Sequence, residues 1–161
     1  MKEKQIILNF KESDDFSELE PDNRDLINLA REAASRAYAP YSRFRVGAAL
    51  RLDNGKIITG NNQENAAYPS GLCAERVALF AASSQYPGAK VEIIAIAVDT
   101  DNHSVIQPAS PCGACRQVMA ETEHRQGKPI RVIFTGETGR SVTVDGMKNL
   151  LPASFTSNNL K

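Results

Sequence analysis

The chain has 161 residues, of which 42% are hydrophobic and 24% are charged, the composition of one soluble globular domain. Nineteen basic residues balance nineteen acidic ones, so the chain lacks the positive charge that a nucleic-acid partner requires. No apolar run reaches the roughly 20 residues of a membrane span, and the charged start Lys2-Glu3-Lys4 does not resemble a secretory signal. We therefore expect a cytoplasmic protein without a membrane partner.

The first 20 residues are predicted to be an N-terminal extension. Within it, residues 5–10 have the composition of a short strand, and an acidic linker follows. Residues 21–38 are predicted to be a helix, because their apolar side chains recur at helical spacing behind an initial proline. Pro40 is expected to end this helix.

A β-hairpin is the next predicted element. Residues 46–52 and 56–60 are its strands, and Asp53-Asn54-Gly55 between them tolerates the positive φ angles of a tight turn. Residues 73–83 are predicted to be a helix with one buried stripe. Residues 91–98 are almost all apolar, which is typical of a central strand covered on both faces.

The last third of the chain continues the alternation of helices and strands. Residues 112–121 are predicted to be a helix, residues 130–134 and 141–144 strands, and residues 147–150 a helical turn. Helices alternating with strands indicate an α/β fold, and the hairpin makes its sheet mixed. The prediction is a three-layer α/β/α domain over residues 21–161 with a mixed five-stranded sheet.

All three cysteines fall in two short motifs, Cys73-Ala74-Glu75 and Pro111-Cys112-Gly113-Ala114-Cys115. An odd cysteine count without a signal peptide argues against a disulfide framework. Both motifs begin predicted helices, where the helix dipole stabilises thiolates. Three thiolates without a fourth protein ligand leave one position open, as in catalytic rather than structural zinc sites.

Two other interpretations of these cysteines are open. A histidine could close a structural zinc site, but His103 and His124 both lie in polar, charged surroundings typical of solvated surface residues. A lone Cys-x-x-Cys is also compatible with thioredoxin-like redox chemistry. The combination of Cys-x-Glu with Pro-Cys-x-x-Cys is more specific, because it is the zinc deaminase signature in its three-cysteine variant.

The same motif suggests two supporting residues. Glu75 lies two residues after a ligand, so it can reach a water on the zinc without itself ligating, and we expect it to be the catalytic proton carrier. Arg76 could donate to a thiolate and offset the excess negative charge of three cysteines. The alternatives are a solvated carboxylate in a first helical turn and an ordinary surface arginine.

Taken together, the motifs make the sequence similar to cytidine deaminases of the short, homotetrameric type. The resemblance covers most of the chain from about Tyr38 to Phe155 and leaves out residues 1–20. The matching segments are residues 38–50 (YAPYSRFRVGAAL), 62–66 (NQENA), 68–76 (YPSGLCAER), 111–117 (PCGACRQ) and 150–155 (LLPASF).

The resemblance also implies how a nucleoside substrate would be held. Phe44 would stack on the cytosine ring, and the backbone N–H of Ala74 would meet the carbonyl of the base. Asn62 and Glu64 would bind the ribose hydroxyls. Gln63 stands between them where the family usually has Val or Ile.

Two further residues depend on assembly. In a homotetramer, Tyr68 and Phe155 would lie near the site of a neighbouring subunit; the alternative is that both are ordinary core residues. Arg45 departs from the proline or lysine common after the aromatic residue.

The expected activity is hydrolytic deamination of cytidine and deoxycytidine to uridine and deoxyuridine in pyrimidine salvage, with one Zn²⁺ per subunit. Three alternatives stay open at this point: a deaminase of a blasticidin-type aminonucleoside, a deaminase of polynucleotides, and a non-catalytic structural zinc module.

Overall fold

The computed structural model describes residues 1–101 and 104–160. Within these ranges there are three α-helices: α1 (Pro21–Ala34), α2 (Ala74–Gln85) and α3 (Gly113–Gln126). The same ranges contain six strands: β1 (Lys11–Ser13), β2 (Phe44–Leu52), β3 (Ile57–Asn61), β4 (Val91–Thr100), β5 (Arg131–Thr135) and β6 (Ser141–Asp145). Each element predicted from residue 21 onward is present, although α1 ends at Ala34 rather than at residue 38. Within the described ranges, no helix is both long enough and apolar enough to cross a bilayer.

All six strands form one mixed sheet in the order β1-β6-β5-β4-β2-β3. The central pair β4–β5 is parallel, with Ile94 opposite Val132, and the other four pairs are antiparallel. The hairpin of β2 and β3 forms one edge of the sheet, as the Asp53-Asn54-Gly55 turn predicted. The α/β class and the mixed sheet are therefore confirmed.

The predicted count of five strands is wrong, because the N-terminal extension adds a sixth. Residues 5–10 contain no strand; instead Lys11–Ser13 pairs antiparallel with β6, placing Lys11 opposite Thr143. The apolar side chains of residues 5–10 stay largely exposed, with Ile7 at 78%. Pairing with a distant edge strand decides the position of β1, since the polar tripeptide has no apolar alternation of its own.

The helices cover the sheet on both faces, which gives the three predicted layers. On one face, α1 packs over the side chains of Ala49, Ile93 and Ile133. On the other, α2 and α3 pack over the larger core, which includes Leu50 and Ile96. Neighbouring residues of one strand thus serve different layers, as the two-residue period of a strand requires.

The approach of α1 to the sheet is close enough to require a glycine. An added Cβ at Gly47 of β2 would lie 1.9 Å from the carbonyl oxygen of Ala30 and 2.4 Å from the amide nitrogen of Ala34. The helix surface at this point consists of alanines that are fully buried. Small side chains on α1 and none at position 47 therefore allow the helix to lie directly on β2.

The extension is also anchored beyond β1. The guanidinium of Arg31 in α1 lies 4.2 Å from the centre of the Phe16 ring, a cation–π contact. Arg140 donates to Asp14 at 3.0 Å, next to the start of β6. Residues 11–19 thus bind both the sheet edge and the α1 layer.

Candidate metal centre and active site

The three cysteines meet at the start of two helices on the same face of the sheet. Cys73 is the residue before α2, Cys112 is the residue before α3, and Cys115 lies in the first turn of α3. The Sγ atom of Cys112 lies 3.8 Å from that of Cys73 and 3.5 Å from that of Cys115. All three sulfurs lie within 4.8 Å of one another, and all three cysteines are free.

The sulfur geometry fits a zinc ion. A Zn–S bond of about 2.3 Å in tetrahedral geometry separates two sulfurs by about 3.8 Å, close to the separations found here. In the described part of the chain, no other group of His, Cys, Asp or Glu is arranged to hold a metal. His124 instead hydrogen-bonds to Ser157 at 3.0 Å, and His103 lies outside the described residues. Three soft thiolate ligands and one open position are the donor set of a catalytic zinc.

Electrostatics favour a thiolate at Cys73. Its pKa is lowered to about 5, because its sulfur accepts a hydrogen bond from the Cys115 thiol and another from Arg76. The Arg76 Nη2 atom lies 3.6 Å from that sulfur. The pKa of Cys115 is raised, because that thiol is the donor to Cys73, is buried and faces the charge of Glu75. The Nε atom of Arg76 is buried without a hydrogen-bond partner, so this guanidinium has one unused N–H donor near the sulfur cluster.

Glu75 lies beside the cysteines and is 4% exposed. It occupies the first turn of α2, where its carboxylate can complement the helix dipole. Burial raises the pKa of Glu75, and the nearby charge of Cys73 raises it further. A buried carboxyl with a raised pKa holds a proton more readily than an exposed one, which suits a group that takes up and releases a proton during a reaction.

A cavity of about 430 Å³ opens onto the cysteine cluster. It is large enough for a small-molecule ligand. Eight of the residues that were predicted to form the site line it: Phe44, Asn62, Glu64, Tyr68, Cys73, Glu75, Arg76 and Cys112.

The structure places the remaining predicted residues differently. Ala74 is fully buried at the first position of α2, and Cys115 is fully buried behind Cys112. Phe155 lies outside the cavity lining of the described chain; its ring is exposed and its carbonyl accepts a hydrogen bond from Gln117. Tyr68 lines the cavity but is 82% exposed, so neither aromatic residue is a core residue of this chain.

The polar edge of the cavity is built by Asn62 and Glu64, which follow β3. Both polar atoms of the Asn62 side-chain amide hydrogen-bond to β2. Oδ1 accepts from the Val46 N–H at 2.7 Å, and Nδ2 donates to the Phe44 carbonyl at 2.9 Å. The backbone N–H of Asn62 also donates to the Val46 carbonyl at 3.0 Å, so backbone and side chain together continue the β2–β3 pairing past Asn61. An amide has further hydrogen-bonding capacity at both ends, so it can still meet a ligand.

The Glu64 carboxylate accepts three hydrogen bonds from the segment before β2. Its Oε2 accepts from the backbone N–H groups of Tyr41 at 2.9 Å and Ser42 at 3.3 Å, and its Oε1 accepts from the Ser42 hydroxyl. Partial loss of solvent raises the pKa of Glu64, but these three hydrogen bonds lower it by more, so that the net shift is downward. Glu64 is therefore an ionised hydrogen-bond acceptor at neutral pH.

Sequence reasoning missed several residues of the cavity. Ile96 and Val98 of β4 form part of its lining, and Ala109 and Ser110 contribute from the segment before Cys112. The alternation along β4 contained a signal for Ile96 and Val98, because residues two apart share a face. Ala109 and Ser110 directly precede the Pro-Cys-x-x-Cys motif, but small side chains there have no distinctive pattern.

Comparison with protein families identifies one match over most of the chain. The model of the cytidine and deoxycytidylate deaminase zinc-binding region matches residues 21–127. This range contains the three cysteines, Glu75 and the cavity residues from Phe44 to Tyr68.

Two curated relatives and one solved structure agree with that match. The cytidine deaminase of Halalkalibacterium halodurans is 42% identical over 139 residues, covering 86% of this chain and 98% of the relative. That of Sporosarcina psychrophila is 39% identical over 140 residues, covering 86% and 95%. The crystal structure of cytidine deaminase from Burkholderia pseudomallei superimposes with a TM-score of 0.71 at 41% identity, covering 81% of this chain and 97% of that one.

Proposed function

The chain belongs to the cytidine deaminase family, and from that premise we propose that it hydrolyses cytidine and deoxycytidine to uridine and deoxyuridine with release of ammonia. It is a zinc-dependent hydrolytic deaminase. We assign this activity to residues 21–161 as a single domain, with residues 1–20 as an extension to it.

One observation supports the proposal most strongly. Cys73 and Cys112 of the cysteine cluster line the same cavity as the buried Glu75, and Glu75 is not part of the group that could hold a metal. A structural zinc site needs neither a cavity nor a buried acid beside it. Hydrolysis at a ring carbon needs both, because the substrate must enter and protons must move during the reaction.

The proposed roles at the reacting centre follow from this arrangement. Zinc bound by Cys73, Cys112 and Cys115 would lower the pKa of a water molecule in its open position. Glu75 accepts a proton from the attacking water and delivers it to N3 of the cytosine ring. After the water oxygen has added to C4, Glu75 carries the second proton to the amine, which leaves as ammonia. The raised pKa of Glu75 suits both transfers.

Substrate binding is assigned to the walls of the cavity. Phe44 stacks on the base, and the Ala74 N–H at the start of α2 donates to the base carbonyl. Asn62 and Glu64 bind the sugar hydroxyls. The negative charge of Glu64, which its hydrogen bonds stabilise, favours a free nucleoside over a nucleotide, because a 5′-phosphate would be repelled.

We further propose a homotetramer in the cytoplasm. Tyr68 and Phe155 are 82% and 59% exposed, which supports the expectation that both contact a neighbouring subunit near its site. Three free cysteines support a reducing compartment. Uridine and deoxyuridine as products support a role in pyrimidine salvage.

The test follows the change in cytidine absorbance with zinc-loaded protein. We expect the parent to convert cytidine to uridine, Glu75→Gln to bind one zinc per chain and lose almost all turnover, and Cys112→Ala to lose the metal. Glu12→Gln, an exposed carboxylate in β1, is the matched control and should retain full turnover.

Three results would contradict parts of the proposal. Turnover by Glu75→Gln would contradict the proton-transfer role, and stoichiometric zinc in Cys112→Ala would contradict the ligand set. A zinc-loaded parent that converts only a blasticidin-type aminonucleoside, or only cytosine in single-stranded nucleic acid, would replace the substrate. No conversion of any of these would leave a structural zinc module.

A further inference from the structure

The segment that carries Phe44 into the cavity contains an unusual backbone conformation. Arg43 has φ of 54°, and among the described residues it is the only non-glycine residue with positive φ. A bulky residue is seldom found there and stays there only where its surroundings determine the conformation. The residues on either side of Arg43 therefore need contacts that hold the turn.

The side chain of Ser42 supplies such a contact across Arg43. Its Oγ accepts a hydrogen bond from the Phe44 N–H at 3.0 Å, which closes a small ring around the left-handed residue. The same hydroxyl donates to Oε1 of Glu64. A hydroxyl has one proton to donate and two lone pairs to accept, so Ser42 uses both capabilities in this network.

Ser42 thus connects two residues with different proposed roles. Phe44 lies on the base side of the cavity, Glu64 lies on the sugar side, and both line it, whereas Ser42 is not among the lining residues of the described chain. The link crosses 22 positions of sequence between Ser42 and Glu64. Ser42 can therefore act on a substrate through Phe44 and Glu64, the two cavity residues to which its hydroxyl is bonded.

We propose that Ser42 is a positioning residue that couples the orientation of the Glu64 carboxylate to that of the Phe44 backbone. The proposal rests on the proposed function, since it takes Phe44 and Glu64 as the contacts of base and sugar. Free rotation of the carboxylate is restricted by three donors from one short segment, and the same segment continues directly into Phe44. The Glu64 carboxylate, which contacts the sugar, is then held in a fixed orientation relative to Phe44, which contacts the base.

The first experiment compares Ser42→Ala with Ser42→Thr, which keeps the hydroxyl. Because Ser42 does not touch the reacting atoms, we expect Ser42→Ala to raise KM for cytidine about tenfold while kcat changes less than about twofold. Ser42→Thr should restore most of the affinity. The matched control is Ser13→Ala, since the Ser13 hydroxyl also donates to a carboxylate, that of Glu18 at 2.6 Å, but in the N-terminal extension. Ser13→Ala should leave both constants unchanged.

The second experiment measures the coupling itself with Phe44→Leu and Glu64→Gln. In the Ser42 background, the loss of kcat/KM in the double variant should be at least about threefold smaller than the product of the single losses. In the Ser42→Ala background, the two losses should multiply. Zinc content and the midpoint of thermal unfolding are measured for each variant, so that only folded, metal-loaded proteins are compared.

The outcomes separate the two proposals. Losses that multiply in both backgrounds, or equal coupling in both, overturn the role of Ser42 while the deaminase activity stands. A parent that converts cytidine but is unaffected by Glu64→Gln removes the sugar contact, and the role of Ser42 is overturned with it. A zinc-loaded parent that converts no cytidine overturns both proposals.

Discussion

The contact between α1 and β2 makes a sharp prediction for Gly47→Ala. The new Cβ would lie 1.9 Å from the Ala30 carbonyl oxygen, whereas ordinary contact begins at 3.4 Å. Relief requires α1 to move away from the sheet by about 1.5 Å at this point. The two nearest atoms, the Ala30 carbonyl oxygen and the Ala34 amide nitrogen, are backbone atoms of α1, so no side-chain rotation can remove the overlap.

The expected cost follows from what α1 buries. Leu26 and Ile27 lie at 2% and 1% exposure on the sheet, and a gap of even 0.5–1 Å forfeits about a quarter to a half of their dispersion contacts there. Overpacked substitutions cost about 1–3 kcal/mol, and we expect the upper end here because the overlap is with backbone. For a chain of this size, about 3 kcal/mol corresponds to a decrease of about 6–12 °C in Tm.

Urea denaturation and thermal unfolding measure the effect. Gly139→Ala is the control, because its added Cβ would meet its nearest neighbour at 3.5 Å, an ordinary contact, and we expect less than about 1 kcal/mol there. The kcat/KM for cytidine at a temperature well below Tm should be unchanged, since α1 lies on the sheet face opposite α2 and α3. A free energy of unfolding for Gly47→Ala within 1 kcal/mol of the parent would refute the close approach.

Three further predictions concern the site, strand β2 and the extension. Arg76→Gln removes the donor to the Cys73 sulfur, so we expect zinc affinity, measured by competition with a chelator, to fall about 10–100-fold; an unchanged affinity would contradict the contact. Arg45→Gln breaks the bonds to Asp99 and Asp101 at 2.7–2.8 Å and should lower Tm more at low salt than at about 1 M salt, and an equal decrease at both would argue against an electrostatic origin. Deletion of residues 1–19 removes β1 and the Phe16 contact, so Tm should fall while kcat/KM for cytidine stays within about twofold; loss of activity in a folded deletion variant would place the extension in the site.

The cysteine cluster could be predicted almost completely from the sequence. Its members lie at the starts of two helices, and helix starts are set by local backbone preferences and spacing. Cys112 and Cys115 are three residues apart, so one helical turn brings their sulfurs together at 3.5 Å. Cys73 could be added because the combined motif is specific, even though 39 positions separate it from Cys112.

The order of the central strands was harder to predict from the sequence, and the edge strand β1 could not be predicted at all. Apolar residues in β4 and β5 predicted burial, but their parallel pairing depends on the crossover through α3. Lys11–Ser13 is polar and short, and its pairing with β6 spans more than 100 residues. No local pattern distinguishes such a segment from a linker.

The sequence alone predicted the cysteine cluster that could hold a metal, the acid beside it, the α/β class and most element positions, because these depend on short-range spacing and apolar periodicity. Only the tertiary structure showed that Glu64 hydrogen-bonds to the segment before β2 and Asn62 to β2 itself. It also showed that Phe155 lies outside the cavity lining of its own chain and that the extension adds the sixth strand to the sheet. The physical reason is the same in each case. Hydrogen bonds between polar residues distant in sequence leave no periodic trace in the chain, and they form only after hydrophobic packing has brought their partners together.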